Sequence, residues 1–241
     1  AGIANRFSTI NLNSGNDFLV GEAFALNNQT VDGIISRGTT EERAVINLGS
    51  GDDSVFGFAE SDGGFITDGI ELISSTIISS TGNNFIEGEA IGGFINQGIF
   101  LDSDSLIKLG SGNDIVAGFA FDGEFNTGIN NFGTISLGAG DDLIDAVIGG
   151  FGGNGTTRLG RGNDKVLGFG SGFFRGGLGT DIIALGEGTY VFDSSTNTLT
   201  SGDTAMNLSS FEGITGLADL QSLLLTDGTY VVDSNDNIQF V

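Results

Sequence analysis

The chain contains no cysteine, no histidine, no tryptophan and no proline. The first two absences exclude disulfides, thiolate nucleophiles, imidazole acid–base chemistry and the usual zinc ligand sets. Without tryptophan, and with Tyr190 and Tyr230 as the only tyrosines, platforms for stacking sugar rings are few. Positive charge is scarce too: 8 Lys and Arg stand against 31 Asp and Glu, and a net charge of −23 repels DNA, RNA and anionic lipid. Nucleic acid is thereby excluded as a partner. No apolar run approaches the ~18 residues of a membrane helix, so membrane insertion of that kind is not expected. No stretch reads as a signal peptide, and residue 1 is not Met, which suits a mature or excised piece.

What is abundant is glycine, phenylalanine and aspartate. The 43 Gly are regularly spaced, which argues for repeated turns over a flexible linker. The 20 Phe and a hydrophobic fraction of 39% supply a continuous core and argue against disorder. Asp outnumbers Glu about two to one, which suits short carboxylates carried on turns.

The turns form a series. "LNSGND" ends at Asp17, "LGSGDD" at Asp53, "SSTGNN" at Asn84, "LGSGND" at Asp114, "LGAGDD" at Asp142, "LGRGND" at Asp164 and "GGLGTD" at Asp181, at steps of 36, 31, 30, 28, 22 and 17 residues. Repetition on this scale marks a solenoid, in which each unit buries its apolar face only against its neighbours. Short segments with β-branched residues and period-two alternation flank each turn, such as "LIKL" before and "DIVAGF" after. A second element, "GGFITDGI" from Gly63, "GGFINQGI" from Gly92 and "GEFNTGI" from Gly123, gives each wide coil about three strands and three corners. Phe65 and Phe94, with Phe125 and Phe151 near the equivalent place, are expected to stack inside the core.

The fold class expected is all-β: a right-handed parallel β-solenoid (β-helix) of about six to seven coils that narrows toward the C-terminus. Residues 1–184 form the solenoid and 185–241 a cap of hairpins and a short helix, the helix around Ala218-Asp219-Leu220-Gln221. "NRFSTINL" from Asn5 matches "NNFGTISL" from Asn130, so the chain starts in mid-coil with open strand edges, covered by a removed N-terminal portion or by another chain. "GTYVFDSSTN" from Gly188 and "GTYVVDSNDN" from Gly228 repeat forty residues apart, and the last strand, "NIQFV", can pair with an edge.

The turns resemble the RTX (repeats-in-toxin, hemolysin-type) calcium-binding nonapeptide, G-G-x-G-x-D-x-U-x with U a large apolar residue. "GGLGTDIIA" from Gly176 matches in full; "LGSGDDSVF", "LGSGNDIVA", "LGAGDDLID" and "LGRGNDKVL" match except for Leu at the first Gly. The resemblance implies secreted, extracellular or cell-surface location and calcium (Ca2+) held between stacked turns. It implies carboxylate ligands at Asp17, Asp53, Asp114, Asp142, Asp164 and Asp181. The backbone carbonyls would come from Gly49, Gly51, Gly110, Gly112, Gly138, Gly140, Gly160 and Gly162. Calcium takes six to eight oxygens, and carbonyls add ligands without adding like charge. The family's coil is eighteen residues with a turn on both sides, whereas here the motif occurs once per long coil. A ladder of Asn and Asp side chains bonding the next coil's backbone is the alternative means of holding the stack. Asn84 brings no charge, and there the calcium row is expected to break.

Two functions remain. The first is a non-enzymatic structural or adhesive extracellular protein that self-associates head to tail through its solenoid ends into filaments or a surface layer, or meets cell-surface polysaccharide. The alternative is a β-helix polysaccharide lyase or hydrolase, or its non-catalytic calcium-binding module. A lyase would need a basic residue beside clustered acids. Lys108, Arg158, Arg161, Lys165 and Arg175 lie in or near the turns and are expected instead to neutralise neighbouring acids. An ice-binding face would need stacked Thr-x-Thr, which is missing.

Overall fold

The computed structural model describes residues 1–26, 29–218 and 222–241. Its strands visit three sheets in turn. Ile3–Arg6, Thr9–Asn11 and Phe18–Leu26 each open a different sheet, and Val31–Arg37, Ala44–Ser50 and Ser54–Asp62 add one strand to each in the same order. Neighbours built this way are parallel: Ile34 faces Ile70, Ile46 faces Ile77 and Val55 faces Ile86. Parallel partners need a long crossover, and each crossover here consists of the strands of the other two sheets. The architecture is all-β with long parallel sheets, compatible with a parallel β-solenoid, and no helix occurs among the described residues.

Period-two alternation builds the interior. Ile46, Ile77, Ile107 and Ile135 form one inward column, Ile34, Ile70, Ile99 and Ile129 a second, and Val55, Ile86, Val116, Ile144, Val166 and Ile183 a third, all within one buried cluster. Burying one such side chain stabilises by about 1.5–3 kcal/mol relative to exposure. Each coil gains that only when its neighbours are in place.

The first sheet ends with Phe151–Gly152. From Lys165–Leu167 of the third sheet the chain passes straight to Gly172–Leu178 of the second, and the step between turns falls to 17 residues. Parallel stacking continues beyond residue 185, with Thr204–Ser209 on Gly172–Leu178 and Gly213–Gly216 on Ile182–Leu185. An antiparallel meander then finishes the second sheet. The two forty-residue repeats face each other there, Tyr190 opposite Tyr230, and Ile238–Phe240 pairs on the outside of Gly228–Val232. The helix expected around Ala218-Asp219-Leu220-Gln221 falls largely on residues 219–221, outside the described residues, and Ala218 is a bend; its flanks, Gly213–Gly216 and Leu223–Leu224, are antiparallel strands.

The expected internal phenylalanine ladder is corrected in part. Phe65, Phe94 and Phe125 are exposed by 59%, 40% and 55% and meet at the surface, Phe65 stacked on Phe94 with ring centroids 5.8 Å apart and Phe125 edge-on to Phe94 at 5.3 Å. Phe151 alone of the four is internal, edge-on to Phe174. The reason is space. At Gly57 and Gly69 the backbones of Ser54–Asp62 and Ile66–Ile73 approach so closely that a Cβ on Gly57 would strike the Gly69 carbonyl, and Gly88 with Gly98 repeats the approach one coil on. Beyond those glycines the buried apolar cluster is small, made of Ala23, Val31 and Ala59 with Ala25 packed against it.

Candidate functional site

The acids of the turns point inward because they share the parity of the core. Asp142 precedes buried Ile144 by two residues, Asp164 precedes Val166 and Asp181 precedes Ile183, so each acid continues an inward column one place beyond the last apolar residue. Asp53, Asn84, Asp114, Asp142, Asp164 and Asp181 are all buried; Asp17 is half-buried.

These residues form an inner file bonded in one direction. The Asp114 N–H donates to Asp142 Oδ1 at 2.8 Å, Asp142 N–H to Asp164 Oδ1 at 2.8 Å, and Asp164 N–H to Asp181 Oδ1 at 3.0 Å. Asp17 N–H likewise donates to Asp53 Oδ1. At Asn84 the pattern changes: its backbone N–H and its side-chain Nδ2 both donate to Asp114 Oδ1, while its own Oδ1 is buried without a partner. The file ends on Glu212, whose Oε2 accepts the Asp181 N–H at 2.8 Å. Glu212 escaped the motif because "SSFEG" replaces the glycine-rich turn, yet its place directly before Gly213, the partner of Ile182, puts it one rung beyond Asp181.

One residue earlier in sequence runs an outer file, exposed and bonded in the opposite direction. Asn16 Oδ1 accepts the Asp52 N–H, Asp52 that of Asn83, Asn83 that of Asn113, Asn113 that of Asp141, Asp141 that of Asn163, and Asn163 that of Thr180, at 2.7–3.0 Å. The Asn/Asp ladder weighed from the sequence is therefore present. The glycines make its tight spacing possible: Gly140 sits at φ 142° with the Gly112 carbonyl directly below, and Gly162 repeats this over Gly140. An L-residue would be strained there and its Cβ would collide with that oxygen.

The two oxygens of each inner carboxylate differ. Oδ1 of Asp53, Asp114, Asp142, Asp164 and Asp181 carries the ladder, whereas Oδ2 of these residues and of Asp17 is buried with no hydrogen-bond partner. Burial pushes the Asp142 carboxyl up to about 7, with Asp114, Asp164 and Asp141 adding to the rise against the N–H of Asp114. It pushes Asp181 to about 6 in the same way, with Asp164 and Glu212 nearby. Asp53, Asp114 and Asp164 are raised as well, chiefly by desolvation. A row of orphaned, hard, anionic oxygens is the donor chemistry that suits calcium. The file does not gather three carboxylates to one point. Among the described residues that occurs at Asp32, Asp68 and Glu71, on the first sheet.

The basic residues near the turns do not pair as expected. Arg158 lies directly opposite Arg175 across the second sheet, and the ion pair found among the described residues is elsewhere, Arg37 Nη2 to Glu71 Oε2 at 2.6 Å. The cause is geometric: the inner acids face the interior, out of reach of side chains on the outer surface. No family model matches the chain, and neither a curated protein nor a solved structure matches it.

Proposed function

We propose that the chain is an extracellular structural repeat protein, non-enzymatic, whose inner acid file takes up calcium along the stack and stiffens it. The fold is a right-handed solenoid of six to seven coils narrowing toward its C-terminal end, the hand that parallel crossovers adopt. The observation that carries this reading is the contrast between the files. Accepting one backbone N–H needs only an amide oxygen, and the exposed outer file uses Asn16, Asn83, Asn113 and Asn163 for it alongside Asp52 and Asp141. The inner file holds six acids in seven turns, five of them buried, although ionised acids are costly there. Their second oxygens then have a purpose. Asp114, Asp142, Asp164 and Asp181 would hold the ion through Oδ2, and bound calcium would neutralise the row. Oδ1 meanwhile keeps each rung hydrogen-bonded to the one before it.

Head-to-tail self-association belongs to the same proposal. Ile3–Arg6, Thr9–Asn11 and Phe18–Leu26 are the edges of the three sheets, and Phe18, Phe24 and Leu26 are exposed on the last of them. Open parallel edges with apolar side chains favour pairing with another chain.

Thermal unfolding in millimolar calcium and in chelator, with particle size read beside it, tests both parts. A melting temperature raised by calcium and growth into fibres are expected. A calcium-independent melting temperature overturns the calcium reading, and a monodisperse monomer in calcium overturns the assembly.

A further inference from the structure

A second acidic group lies outside the turns. Val31–Arg37 and Ile66–Ile73 are parallel neighbours of the first sheet, and their register sets Asp32 directly opposite Asp68 and Ile35 opposite Glu71. Two ionised carboxylates in directly opposed positions repel each other. Glu71 nonetheless joins them: Asp32, Asp68 and Glu71 each offer an oxygen within 4.8 Å of the others. All three are buried, Asp68 to 2% exposure, and Oδ1 of Asp32 and Oδ1 of Asp68 are fully enclosed with no hydrogen-bond partner.

The local charge does not balance. Arg37 binds Glu71 through Nε at 3.0 Å and Nη2 at 2.6 Å, which accounts for one carboxylate. The amino group of residue 1, Arg37 and Arg6 act on Asp32 only through space, as Arg37 does on Asp68, and desolvation by burial outweighs them. Two carboxylates remain, buried and without a paired cation. Burying one such charge is strongly unfavourable, so the group holds a proton, as burial favours at Asp68 and Asp32, until it is paired or ligates a metal.

From this geometry we infer that Asp32, Asp68 and Glu71 form a separate binding site for a single hard divalent cation, calcium. Oxygens on opposite sides of an ion bound at about 2.4 Å stand about 4.8 Å apart, so a single ion can touch all three carboxylates. The all-oxygen donor set excludes metals that select thiolate or imidazole. The enclosure selects calcium over magnesium, which keeps several waters. The ion neutralises Asp32 and Asp68, takes the free oxygen of Glu71, and ties two adjacent coils together on a face the turn file does not reach. The site stands independently of the turn-file proposal.

The test is calorimetric titration of the chelator-treated full chain with calcium chloride, with bound metal counted by elemental mass spectrometry. Asp68→Asn is expected to bind one calcium fewer per chain than the unmodified protein. Asp142→Asn combined with Asp164→Asn should keep the calcium that Asp68→Asn loses. Unchanged calcium stoichiometry in folded Asp68→Asn, or in Asp32→Asn should the first variant not fold, overturns the site. Loss of all bound calcium in the turn-file double variant overturns it as well. Calcium bound by the unmodified protein and by the turn-file variant in equal amount would sink the turn-file proposal and leave this site standing.

Discussion

The inner and outer files of the turns are one residue apart in sequence and opposite in almost everything else. Asp141 is exposed, and its side chain accepts from the rung after it; Asp142 is buried, and its side chain accepts from the rung before it. Together they clamp each turn from both sides with opposed hydrogen bonds. The outer file tolerates amide and acid interchangeably, because water solvates whatever the ladder does not use. The inner file keeps the acid where water cannot reach. The ladder alone accounts for the outer residues and leaves half of each inner carboxylate unexplained.

The comparison can be broken most severely through the backbone that both files share. Gly140→Ala should cost about 3–5 kcal/mol by urea denaturation, combining left-handed strain with the clash against the Gly112 carbonyl. Gly15→Ala, at a similar φ of 126° but with open space around it, should cost about 1–2 kcal/mol from strain alone. Equal losses would show that rung contact is not what selects glycine at Gly140.

Protonation separates the files next. The folded Asp142 carboxyl titrates near 7 and Asp181 near 6, both above the ordinary value of 3.8. Folding then favours the protonated forms, so this stabilisation is fully present below about pH 4 and is lost as pH rises through 6 and 7. In chelator the melting temperature should fall across that window. Asp142→Asn should flatten the upper part of the fall, whereas Asp141→Asn should keep the fall and only move it to slightly lower pH, because the Asp141 charge adds to the rise at Asp142.

At neutral pH in chelator, Asp142→Asn should stabilise by about 1 kcal/mol through removal of a buried charge, with Asp141→Asn within about 0.5 kcal/mol of zero. In calcium the first effect should reverse sign. With calcium present, the smallest net effect is expected at the break. Asn84→Asp removes the Nδ2–H that bonds Asp114 Oδ1 and adds a buried carboxylate, so it should lower the melting temperature in chelator by several degrees and recover it in calcium, at about 2–4 °C per kcal/mol for a chain of this size. A variant insensitive to calcium would mean that Asn84 is no interruption of an ion row.

Much of this was legible in the sequence. Seven turns and three strands per wide coil follow from one repeated alternation, in which the acid and the apolar residue two places on share a face. The side chosen by Phe65 and Phe94 was not legible, because it depends on how closely two strands cross at Gly57 and Gly69. Glu212 was hidden by a rung, "SSFEG", that lacks the G-x-G turn. The Asp32, Asp68 and Glu71 group left a trace that went unread: "DGI" occurs at Asp32 and again at Asp68, 36 residues on, the same step that separates Asp17 from Asp53. Equal steps put residues on the same face of adjacent coils. Burial of that face is a property of the assembled sheets and has no local signature.

The most direct test of the inner file is a crystal structure grown in calcium, with anomalous difference density measured along the turns. The account predicts peaks beside Oδ2 between Asp114 and Asp181, a gap at Asn84 and nothing along the outer file from Asn16 to Asn163. Density confined to the outer file, or a well-ordered inner file with no peak, would contradict it.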